Sequence, residues 1–113
     1  DNMSLSSQQI KFTKMVAELI SWSYCQGYGL TFGEAMRTSE QQAIYVQQGK
    51  SKTNNSKHLV RLAIDFNLFI AGQYKGDTES YKPLGEYWES LDPENVWGGR
   101  FSFGDGNHFQ HTK

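Results

Sequence analysis

At 113 residues, with 37% hydrophobic and 14% aromatic side chains, the chain has enough apolar mass for one core and too little for a separate cofactor-binding half. A formal net charge of −1, with no stripe of Lys or Arg and no acidic tail, argues against nucleic acid as a partner. No apolar run approaches the roughly 18 residues needed to span a membrane, and the single cysteine, Cys25, excludes an intramolecular disulfide.

Asp1-Asn2-Met3-Ser4 lacks a basic segment followed by an apolar core, so the expectation is synthesis in the cytoplasm without a secretory signal. From Ser6 to Gln26, Ile10, Phe12, Met15, Val16, Leu19, Ile20 and Trp22 recur at three- and four-residue steps, which predicts an amphipathic helix. Ser6 and Gln9 form its expected capping box and Gly27 its stop; Cys25 is expected to be a small buried residue. Tyr28 to Met36 reads as a strand, and Thr38 with Gln41 opens a second helix running to about Gln48.

Lys50 to Lys57 is polar throughout and reads as a loop that delivers His58. Leu62 to Ile70 is the clearest strand, with Leu62, Ile64, Phe66, Leu68 and Ile70 on one face. Ala63, Asp65, Asn67 and Phe69 take the other, so Asp65 projects away from the apolar row. Ala71 to Tyr74 reads as a hairpin turn, and Pro83 starts a third helix over Leu84 to Leu91. Asp92-Pro93-Glu94-Asn95 breaks it, and two Gly-rich stretches lead to a final short strand. The order favours an α+β fold with a small antiparallel sheet and about three helices, a single domain over 1–113 with flexible ends at 1–5 and 110–113.

The chemistry concentrates in Ser56-Lys57-His58, Asp65 and Asp105-Gly106-Asn107-His108. Two histidines and a carboxylate can supply three ligands to one Zn²⁺ and leave a fourth position for water. A second carboxylate close by can take and return protons, so the set reads as a metal-dependent hydrolase. Positions 105 and 108 would face opposite ways on a regular strand, but Gly106-Asn107 is a turn dipeptide that can make them converge. His111 lies near the end without such neighbours and reads as a tail residue.

Ser56-x-His58 with Ala63 and Asp65 resembles the Ser-x-His-x-x-Gly-x-Ala-x-Asp signature of the M15 family of zinc peptidases. Asp105-x-x-His108 is similar to the second motif of that family, and Trp97-Gly98-Gly99 to a segment preceding it in phage members. Arg37-Thr38-Ser39-Glu40-Gln41 resembles the upstream arginine segment, so the likeness runs from about Glu34 to Phe109. The resemblance implies a hedgehog/D-Ala-D-Ala-peptidase-like fold, zinc held by His58, Asp65 and His108, Asp105 as general base and Arg37 as oxyanion stabiliser. It implies substrate contacts at Ser56, with Trp97 walling the cleft or joining the core. One departure stands out: Arg61 occupies the signature's glycine. If that position needs positive φ, Arg is strained there; if it is an ordinary loop position, Arg61 could meet substrate carboxylates.

The implied activity is cleavage of peptide stems in bacterial peptidoglycan by a monomeric phage or prophage endolysin cutting L-Ala–D-Glu. A host with thin murein and release through a holin complete that expectation. The alternatives are a D-Ala-D-Ala carboxypeptidase or dipeptidase, and a catalytically impaired, metal-stabilised peptidoglycan-binding module.

Overall fold

The computed structural model describes residues 4–51, 53 and 55–112. Helix α1 (Leu5–Cys25) begins where the Ser4 hydroxyl accepts from the Ser7 amide, two residues ahead of the expected Ser6 cap. Phe12, Met15, Val16 and Leu19 recur on one face of α1 and are buried. Cys25 falls off that stripe and is exposed, which corrects its expected burial. Helix α2 (Ser39–Gln47) starts as its sequence predicts, with the Thr38 hydroxyl accepting from the Gln41 amide. Helix α3 (Lys82–Leu91) carries Pro83 in its first turn, where no helical N–H is needed, and buries Leu84 and Trp88.

Strands β1 (Tyr28–Phe32), β2 (Ala63–Ile70), β3 (Gln73–Lys75), β4 (Asn95–Trp97) and β5 (His108–His111) form one antiparallel sheet. Its order is β1-β2-β5-β4, with β3 paired to the C-terminal end of β2. The α+β architecture with three helices and a small antiparallel sheet is the one the sequence predicts. Alternation in β2 buries Ile64, Phe66 and Leu68 and turns Asp65 to the other face. Trp88 of α3 joins the layers, meeting Phe12 edge-on at 5.7 Å between ring centroids and Phe109 of β5 at 6.3 Å. Burial of each such aromatic contributes about 2–3 kcal/mol, so α1 and α3 are held on the sheet mainly by apolar contact.

Regular β1 ends at Phe32 rather than Met36, yet backbone pairing continues to the site. Gly33 donates to the Asp65 carbonyl at 2.8 Å, and Asp65 donates to that of Glu34 at 2.8 Å. A side chain at position 33 would put its Cβ 2.9 Å from that of Asp65, so glycine permits this close approach. The β2–β3 turn places Ala71 and Gly72 at φ +53° and +76°, a two-residue hairpin of the hand that suits strand twist.

The C-terminal strands hold the largest departure. β4 is a separate strand, and Gln110 and His111 belong to β5 rather than to a flexible tail. His111 is buried and donates from Nδ1 to Asn95 Oδ1 at 2.7 Å, while Asn95 Nδ2 donates to the Trp88 carbonyl at 2.9 Å. Alternation explains the placement: Phe109 and His111 face the core, His108 and Gln110 the opposite side. At the other end Ser4 and Leu5 belong to the start of α1; Asp1–Met3 and Lys113 lie outside the described residues.

Candidate metal centre and cleft

His58, Asp65 and His108 converge from three segments. The 3₁₀ turn Lys57–Val60 carries His58 and is capped by Ser56, whose hydroxyl accepts from the His58 amide at 3.2 Å. Asp65 and His108 sit directly opposite each other in the β2–β5 register. Asp65 Oδ1 lies 3.2 Å from His58 Nε2 and 3.2 Å from His108 Nδ1. One ligand atom from each of the three falls within 4.8 Å of the other two.

The remaining ring nitrogens are occupied in a way that fixes which atoms face inward. His58 Nδ1 donates to the Ala35 carbonyl at 3.3 Å, leaving Nε2 toward Asp65. Gln110 donates from Nε2 to the Thr112 carbonyl, so its Oε1 faces His108 Nε2 at 2.8 Å and accepts that proton. His108 Nδ1 is thereby presented to the centre. Two imidazole nitrogens, each oriented by an outer partner, and a carboxylate match the donor set of an open Zn²⁺ site. Burial would raise the Asp65 carboxyl, but its close contacts with His108 and His58 outweigh it and hold it at about 2, so Asp65 is anionic.

Asp105 stands on the tight turn before β5, half-buried in the same cleft. Its backbone carbonyl accepts from the His108 amide at 3.1 Å, the fold-back that brings the two residues together. Burial and the nearby Asp65 charge raise its carboxyl above the ordinary value, against the pull of His108. The Trp97-Gly98-Gly99 segment clasps this turn from behind. Asp105 donates its amide to the Gly98 carbonyl at 2.9 Å, and Trp97 Nε1 donates to the Gly106 carbonyl at 2.7 Å. A Cβ on Gly98 would fall 2.2 Å from the Asp105 carbonyl oxygen and 2.8 Å from His108 Cβ, so only glycine fits.

The cleft, of about 970 Å³, also takes in Arg37, Ser56 and Lys57. Arg37 is tightly held: Nε and Nη2 donate to Glu34 Oε1 at 3.2 and 2.6 Å, and Nη1 to Gln42 Oε1 at 2.7 Å. Its guanidinium lies 4.8 Å from the Tyr45 ring centroid, and two of its five N–H groups have no partner among the described residues. Glu34, Gln42 and Tyr45 form this cage, and no spacing in the sequence singles them out. Gln42 is the one buried residue of α2, a placement that its weakly patterned helix does not signal. Two other expected substrate contacts do not line the cleft. Trp97 is core, 3% exposed, beneath the Asp105 turn, and exposed Arg61 closes the 3₁₀ turn. Arg61 adopts φ +58°, the left-handed conformation that the signature's glycine supplies without strain.

A family model described as D-alanyl-D-alanine carboxypeptidase, of the M15 peptidases, matches residues 49–111. An L-alanyl-D-glutamate peptidase of Listeria phage A118 is 38% identical over 105 residues, covering 87% of this chain. The chain spans 36% of that relative's length. The L-Ala D-Glu endopeptidase ChiX of Serratia marcescens superposes with a TM-score of 0.76 at 24% identity, covering 90% of this chain and 78% of that one. The vancomycin-resistance D,D-pentapeptidase VanY, solved in complex with Zn(II), gives 0.60 at 16% identity, covering 92% and 72%. At those identities the two structures establish the fold, while the family match over more than half of the chain establishes kinship: the chain belongs to the M15 peptidase family.

Proposed function

We propose that this chain is a zinc peptidase that cuts the peptide stems of bacterial peptidoglycan at the bond between L-Ala and D-Glu. The observation that carries the reading is the convergence of His58 Nε2, Asp65 Oδ1 and His108 Nδ1 beside a half-buried Asp105. The phage relative and ChiX, both described as acting on L-Ala–D-Glu, support the choice of bond. His58, Asp65 and His108 would hold the ion. A zinc ion there supplies Lewis acidity and lowers the pKa of water toward 7.

Asp105 accepts the proton of the attacking water and returns it to the leaving amine. Its raised carboxyl suits the first of these transfers, since a stronger base takes the proton of water more readily. Arg37, immobilised by Glu34 and Gln42, offers its two remaining N–H groups to the oxygen that gains charge. Ser56 sets the entry of the 3₁₀ turn and so the position of His58. The protein acts as a monomer at the cell wall. Among the described residues no helix is long and apolar enough to cross a membrane.

A D-Ala-D-Ala carboxypeptidase is the second reading, favoured by the description of the matching family model. A metal-stabilised module without turnover has less support, because a structural zinc site needs no carboxylate placed as Asp105 is. The test is a pair of variants assayed for zinc content and for cleavage of a synthetic stem peptide ending in D-Ala-D-Ala. His58→Ala loses both metal and cleavage, whereas Asp105→Ala keeps the metal and loses cleavage. Turnover by Asp105→Ala at the wild-type rate would remove the base assignment, and release of the terminal D-Ala alone would favour the carboxypeptidase.

A further inference from the structure

We propose that Lys57 is the specificity determinant of the cleft, binding the free carboxylate of the residue on the leaving side of the scissile bond. The inference rests on the proposed peptidase reading and goes on to say how the substrate is selected. In an L-Ala–D-Glu substrate the glutamate has two carboxyl groups, and whichever one carries the next residue, the other remains free. The leaving residue of a D-Ala-D-Ala substrate carries a terminal carboxylate in the same neighbourhood. Either bond therefore places an anion one residue beyond the attacked carbonyl, and the cleft needs a cation to meet it.

Four cations are candidates, and the structure separates them. Arg37, paired with Glu34 at 2.6 Å and caged by Gln42 and Tyr45, is committed to the attacked carbonyl oxygen. Arg61 does not line the cleft, and Lys50 lines it only as an exposed residue at the exit of α2, not on the turn that carries a metal ligand. Lys57 lines the cleft, is half-buried, adjoins His58 in sequence, and has no ion-pair partner among the described residues. A lysine on the cleft wall without a counter-ion is a ready partner for a carboxylate, and the substrate supplies one. Because Lys57 lies on the same 3₁₀ turn as His58, a carboxylate held by it is held in register with the metal site.

The test compares a stem peptide carrying free D-Glu with one in which that carboxylate is amidated, both as ketomethylene analogues that cannot be hydrolysed. Binding to zinc-loaded protein is followed by calorimetry. Wild type binds the carboxylate analogue about 10- to 100-fold more tightly, the range of a charge-assisted hydrogen bond. In Lys57→Met the preference collapses to about threefold or less, and in Lys57→Arg, which keeps the charge, most of it returns. A preference that survives in Lys57→Met, or its absence in wild type, overturns the assignment. Hydrolysable versions of the two peptides test the reading beneath it separately: lysine-dependent binding without any cleavage would leave the subsite standing and remove the peptidase.

Discussion

Replacing Arg61 by glycine tests the account at the one position where the sequence departs from the family signature. Arg61 caps the 3₁₀ turn at φ +58° and ψ +37°, and a residue with a Cβ is about 1–2 kcal/mol less stable there than in right-handed conformations. Glycine removes that strain but adds freedom to the unfolded chain, which costs about 0.5–1 kcal/mol. The side chain is exposed and outside the cleft, so its loss removes little packing. Arg61→Gly should therefore be more stable by about 0.5–1 kcal/mol, a rise in Tm of about 2–5 °C for a domain of this size. Arg61→Ala, which keeps a Cβ, should show no such gain. Urea denaturation of the three proteins reads the differences directly, with m-values checking that the unfolded state is comparable. Cleavage of stem peptide should stay within about twofold of wild type in Arg61→Gly. Equal stabilisation by Ala and Gly, or loss of stability in Arg61→Gly, would refute the strain argument.

Gly98→Ala should destabilise by about 1–3 kcal/mol and slow turnover by about 10- to 100-fold, because its Cβ would displace the Asp105–His108 turn; unchanged kinetics would mean that the turn does not set the catalytic geometry. His111 is neutral in the fold, its pKa lowered mainly by burial, so its contribution to stability is complete above its ordinary 6.5 and is lost as pH falls through 6.5 toward the lower folded value. In His111→Gln, denaturation curves between pH 7 and pH 5 should lose that part of the pH dependence, and an identical slope would contradict it. Burial raises the Asp105 carboxyl, so in the zinc-free protein its titration, followed by carboxyl NMR, should have a midpoint above the ordinary 3.8. A midpoint at or below 3.8 would contradict that effect of burial.

The sequence carried the site further than it carried the fold's edges. His58, Asp65 and His108 were legible because the turn residues Ser56, Gly106 and Asn107 and the alternation of β2 are local signals with a fixed geometric meaning. β4 was not, since three residues between Pro93 and the glycines of Gly98-Gly99 carry no measurable alternation. His111 looked like a tail residue because its burial depends on pairing with Asn95, 16 positions away. The cage around Arg37 was hidden for the same reason: Gln42 and Tyr45 reach it only once α2 is packed against the loop before His58. Local patterns named the groups that converge in the cleft, and tertiary contacts named the groups that hold them.

The most direct test of the central claim is mass spectrometry of the fragments released from purified peptidoglycan by the zinc-loaded protein, with a chelator-treated control. Chelator-sensitive release of fragments with glutamate at a new amino terminus is the expected result. Intact stems after incubation with protein shown to hold zinc, or cleavage that survives the chelator, would contradict it.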